Sequence, residues 1–124
     1  MSATAPMPTH AHASTALSRE LWISLASLLR SHVAMHSIAR PAAPMRIAAD
    51  SHSATLLGSR GKLIVLGPDA SGKGSTEFRP EAGELGDEYC TFFFTEDGLV
   101  YIENSETALD MESAAEHWLR QVQL

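Results

Sequence analysis

A chain of 124 residues with a net charge of −6 and a mean hydropathy of −0.06 is the size of one domain, long enough to bury roughly two-thirds of its unfolded surface without a metal or a disulfide. Its lone Cys90 excludes an internal disulfide and fits a small buried hydrophobe in a reducing compartment, which predicts a cytoplasmic protein. The longest apolar run near the N-terminus, Leu21 to Leu29, is broken by Ser24 and Ser27 and flanked by Arg19, Glu20 and Arg30, far short of the ~20 residues a membrane span needs, so no membrane partner is expected.

Residues 1–13 are rich in Ala, Thr, Pro and His without periodicity and read as a flexible tail, leaving 14–124 as a single domain. Ser14, Thr15 or Ser18 can cap the helix that follows. Leu21, Leu25, Leu28, His32 and Met35 recur at spacings of three or four, with Trp22 nearer the edge of that stripe and therefore more accessible. Pro41 and Pro44 end the helix near Ala39.

Residues 45–54 are ambiguous: Met45, Ile47 and Ala49 alternate like a strand before Asp50-Ser51-His52-Ser53 interrupts them. Thr55 to Leu57 and Lys62 to Leu66 read as strands joined by the turn Gly58-Ser59-Arg60-Gly61. Gly67 to Gly74 is a loop, Ser75 to Arg79 a weakly alternating strand, and Glu81 to Asp87 an acidic loop. In Tyr89 to Asn104 two β-rich runs flank Glu96-Asp97-Gly98. A three-residue turn with Gly98 left-handed pairs Phe94 with Val100 and Phe92 with Ile102, keeping one apolar face intact.

Thr107 and Asp110 resemble a capping box for a C-terminal helix, whose Met111, Ala115, Trp118 and Val122 form one stripe. Trp118 should be buried against the Phe residues of the hairpin. The predicted fold is α+β: an antiparallel meander of about five strands flanked by an N-terminal and a C-terminal α-helix in two-layer packing, because connections this short leave no room for parallel crossovers.

Gly67-Pro68-Asp69-Ala70-Ser71-Gly72-Lys73-Gly74-Ser75, preceded by an apolar strand, fits the phosphate-binding pattern Gly-x4-Gly-Lys and resembles the adenylate-kinase variant of P-loop proteins. The resemblance implies a nucleotide or phosphate held by Gly67, Gly72, Lys73, Gly74 and Ser75, with Lys73 on the outer phosphates and Ser75 or Thr76 on magnesium. A P-loop also needs a helix starting at the lysine, whereas Pro80, Gly83 and Gly86 follow closely and Ser75 to Arg79 alternates like a strand. That context favours a loop between antiparallel strands and no cofactor.

His32 and His36, four apart on one helical face, can present two nitrogens to one zinc ion, but no Cys or carboxylate neighbours them in sequence, so no metal is expected. Cys90 beside three Phe in an acidic half is no nucleophile candidate. The charge is uneven, +3 over residues 1–49 and −9 over 50–124, a poor footprint for nucleic acid.

The chain therefore reads as a non-catalytic protein-interaction module whose partner is another protein or a second copy of itself. Phe93, Leu99 and Tyr101 on the second face of the hairpin are the candidate interface. In size, charge and element order the chain is similar to small acidic bacterial secretion chaperones, an analogy of shape. The nucleotide or phosphate binder is the alternative.

Overall fold

A computed structural model describes residues 11–81 and 87–123. The elements run α1 (Thr15–Ala39), β1 (Arg46–Ala49), β2 (Ser53–Gly58), β3 (Gly61–Leu66), β4 (Lys73–Pro80), β5 (Glu88–Phe94), β6 (Val100–Ile102) and α2 (Met111–Val122). All strands pair antiparallel in chain order, so the expected α+β meander between two helices is present, with six strands in place of about five. The additional strand is β1, which sets Ile47 opposite Leu56 and Ala49 opposite Ala54. The polar residues that interrupt its pattern are the hairpin turn itself: Asp50 Oδ1 accepts the amides of His52 and Ser53, each at 2.8 Å. Those bonds hold the Asp50 carboxyl below its ordinary pKa, the His52 amide contributing most.

The β5–β6 hairpin has the expected register, Phe92 opposite Ile102 and Phe94 opposite Val100. The Thr95 amide donates to Leu99 O at 2.9 Å across the turn, with Gly98 at φ 82°. Only a residue without Cβ takes that left-handed geometry cheaply, which is why the Asp-Gly step falls there.

Ser14 caps α1 by accepting the Leu17 amide, and the helix stops at Ala39, one residue short of Arg40-Pro41. Its buried stripe is Trp22, Leu25, Ala26, Leu29 and Val33, rotated by about one residue from the one the spacing suggested. Trp22 is accordingly 2 % exposed, not an edge residue, while Met35 is 69 % exposed. Two stripes overlap in a helix this rich in apolar residues, and the one carrying the largest ring faces the core because it removes the most apolar surface from water. In α2 the cap is Asp110, whose carboxylate accepts the Ser113 amide at 2.7 Å, so Asp110 is the first member of the capping motif, not the last. Ala114 and Ala115 are fully buried and bring the axis close enough for Trp118 to meet Phe92 edge-on at 5.2 Å.

Both helices lie on the same side of the sheet. Leu56, Leu63, Val65, Phe78, Phe92, Phe94, Val100 and Ile102 point inward and join the two helical stripes in one core, and α1 also touches α2. The C-terminal end of α2 is latched down: Val122 O accepts the Arg60 amide at 2.8 Å, and Gln123 takes the Ser59 amide and donates to Ala43 O.

Of the expected tail, residues 1–10 lie outside the described residues. Ala11 to Ala13 are paired: the Ala13 amide donates to Phe94 O at 2.9 Å and Ala11 O accepts the Glu96 amide at 3.0 Å. Since β4 begins at Lys73 opposite Phe93, the last residues of β5 have no partner strand on that side, and Ala11 to Ala13 take the place. Ala13 is buried as a result.

Candidate functional site

The phosphate-loop-like stretch is a strand connection. β4 begins at Lys73, so the helix that would aim its amides at phosphates is replaced by a strand paired on both sides. The loop's own carboxylate occupies the amides: Asp69 Oδ1 accepts the Ser71 amide at 2.8 Å, the Ser71 hydroxyl at 2.6 Å and the Lys73 amide at 3.2 Å. These bonds, the Ser71 hydroxyl foremost, hold the Asp69 carboxyl below its ordinary pKa.

The glycines of the motif have packing and turn roles. A Cβ on Gly67 would lie 3.0 Å from the Trp22 ring and one on Gly74 would lie 2.4 Å from Phe92 Cζ, while Gly72 sits at φ 85°. Strand alternation separates the candidate magnesium ligands, Ser75 facing outward and Thr76 buried on the inner side. The two glycines of the pattern Gly-x4-Gly-Lys arise here from unrelated demands, close packing on Trp22 at Gly67 and a positive φ at Gly72.

The outward side of the sheet presents cations and apolar side chains together, while Ile23, Met35 and Ile38 stand exposed on α1. Among the described residues neither helix covers that side of the sheet. The register aligns Arg46, Leu57, Lys62 and Arg79 in one row across β1 to β4. The next row holds Thr55, Ile64, Glu77 and Tyr89, and a third Ser53, Leu66, Ser75 and Thr91. Leu57 is 44 %, Leu66 49 % and Tyr89 71 % exposed. Arg79 pairs with Glu77 at 2.9 Å and stands 3.8 Å from Asp87, both of which raise its pKa, Glu77 more. Thr91 hydrogen-bonds Glu103.

The expected interface residues lie at one end of this face. Phe93 is sandwiched, its ring stacked on His12 at 3.7 Å and on Tyr101 at 5.1 Å. The Tyr101 hydroxyl donates to Ser105 O, and Leu99 is half-buried with its amide on Thr95 Oγ1. Phe93 and Tyr101 are thus neighbours, but largely satisfied by each other and by His12. The more accessible apolar residues of this face, Leu57, Leu66 and Tyr89, lie within the expected strands, but the continuous apolar run that ends at Leu66 does not mark which side faces outward. Their exposure followed only from knowing that both helices choose the other face.

A groove of about 730 Å³ lies between α1 and α2. His32 and His36 both line it. His32 Nε2 is 3.1 Å from Glu112 Oε1 on α2, and Glu116 stands one turn further along that helix. His36 Nε2 is buried without a hydrogen-bond partner among the described residues. Cys90 is half-buried against the core, its Sγ 3.6 Å from Thr91 O and 3.7 Å from Glu103 O. No described helix is long and apolar enough to cross a membrane.

No family model, no curated protein and no solved structure matches the chain.

Proposed function

We propose that the chain is a small non-catalytic interaction module whose outward sheet face takes up an acidic, partly apolar surface of another protein. Cytoplasmic residence belongs to this reading, in keeping with a single cysteine left as a free thiol. The observation that carries it is the row Arg46, Leu57, Lys62 and Arg79 beside Ile64, Leu66 and Tyr89 on the uncovered face.

Antiparallel sheets tolerate one wet face, but such faces alternate to polar residues. Here Leu57, Ile64 and Leu66 stand among the outward positions of neighbouring strands, and covering them removes apolar surface from water at about 25 cal/mol per Å². Cations lined up on a protein of net charge −6 steer an acidic partner to this side of the molecule. A second copy fits less well, because a two-fold pairing through the row sets Arg and Lys against themselves. Nucleic acid also fits less well, because a row of few cations, Arg79 among them already paired with Glu77, is a poor match for a continuous phosphate backbone, whereas a protein surface also covers Leu57, Ile64 and Leu66.

The test is an amide-shift titration of the full chain with peptides alternating Glu with Leu or Phe, run beside oligo-dT and ATP with magnesium. Shifts clustered at Leu57, Lys62, Ile64 and Leu66 with the peptide, and lost in Lys62→Glu, support the reading. Silence toward the peptide, indifference to Lys62→Glu, or stronger shifts at the same amides with oligo-dT overturn it. Shifts at Gly72 to Ser75 with ATP would restore the nucleotide reading.

A further inference from the structure

We infer that His32, Glu112 and Glu116 form a three-ligand site for a divalent transition-metal ion, zinc being the best match, in the groove between α1 and α2. One ligand atom from each lies within 4.8 Å of the other two, although His32 and Glu112 are separated by 80 residues of chain. α1 supplies the imidazole, and Glu112 and Glu116, four apart on α2, rise on one face of successive turns.

Bonds of 2.0–2.2 Å to nitrogen and oxygen place neighbouring corners of a zinc tetrahedron about 3.4 Å apart. The His32–Glu112 separation of 3.1 Å is close to such an edge. Glu116 is half-exposed, so a rotamer change can bring its oxygen to the third corner. The fourth position faces the groove and is left for water or a ligand, as in sites that keep three protein donors.

The donor set selects among ions. An imidazole with two carboxylates suits zinc better than magnesium or calcium, which prefer oxygen alone, and two carboxylates neutralise a dication. Without an ion the arrangement is less well satisfied. Like charges at i, i+4 repel, and among the described residues Glu116 pairs with Arg120 at 3.6 Å, mostly exposed, a pairing that costs little to give up. Independently of these three residues, His36 also lines the groove, and its Nε2 is buried without a hydrogen-bond partner among the described residues. A second imidazole thus borders the groove beside the three ligands.

Calorimetric titration of the full chain with zinc chloride, followed by thermal melts with zinc, magnesium or EDTA, tests the site. One zinc ion per chain, a midpoint raised by zinc and not by magnesium, and affinity weakened by at least about tenfold in both His32→Gln and Glu116→Gln are expected. Melts in EDTA check that each variant is folded. Absence of zinc binding overturns the inference. So does binding that persists unchanged in the two variants, which would assign the ion to other histidines.

Discussion

The Phe92 ring lies directly across Gly74 on the neighbouring strand, so that a methyl group at position 74 would sit 2.4 Å from its Cζ and 2.8 Å from Leu66 O. The carbonyl belongs to backbone and cannot move aside. Gly74→Ala should therefore destabilise the fold by ~1–3 kcal/mol through overpacking, and by less in a Phe92→Leu background. Lys73→Ala, exposed one residue earlier, should stay within ~0.5 kcal/mol. Urea unfolding of the four variants checks this, and equal losses at 73 and 74 would remove the steric account.

Both tryptophans should emit as buried indoles, since Trp22 is 2 % and Trp118 1 % exposed. Trp22→Phe and Trp118→Phe each leave one reporter. Blue-shifted emission and poor quenching by iodide are expected from both, and water-like emission from the Trp118→Phe protein would mean that α1 presents another stripe to the sheet.

A chain starting at Ser14 should be less stable than one starting at Ala11. The shorter chain loses the Ala13 to Phe94 and Glu96 to Ala11 hydrogen bonds and the His12 ring over Phe93, at about 1 kcal/mol for each backbone bond. Differential scanning calorimetry of the two chains checks it, and coincident melts would show that this pairing adds nothing.

Asp110 should contribute a distinct acid limb to stability. Its bonds from the Ser113 amide, first, and the Ser113 hydroxyl lower its folded pKa. With the folded value beneath the unfolded value of about 3.9, its contribution is whole above that value and disappears as the pH falls through the folded one. Asp110→Asn keeps a cap that does not titrate. The wild-type urea midpoint should therefore fall more steeply than that of the Asn variant below about pH 4, and parallel curves would exclude a role for the carboxylate charge.

The α+β class and the β5–β6 register were readable from the sequence, because turn chemistry and alternation are local properties and Gly98 marks the place in that turn where φ is positive. β1 was half-readable: Ile47 and Ala49 alternate, but Asp50 to Ser53 looks like an interruption until its side chain is seen to cap a turn. The choice of stripe on α1 was not readable, since Leu21, Leu25 and Leu28 compete with Trp22, Leu25 and Leu29 at nearly equal hydrophobicity. Nor was the groove, because His32 meets Glu112 only when two helices far apart in sequence share one side of the sheet.

The latch of Val122 and Gln123 onto Ser59, Arg60 and Ala43 bears on the order in which the molecule assembles. Every strand pairs with its sequence neighbour, so the meander can zip up through short loop closures, whereas α2 must return across the sheet to reach the β2–β3 turn. Contacts formed so late are absent from the folding barrier and act on the reverse rate. Gln123→Ala should accelerate unfolding and leave refolding almost unchanged, while Phe94→Ala slows refolding. In the intact molecule, Gln123 then works as a brake on opening, its whole contribution to stability appearing in the unfolding rate.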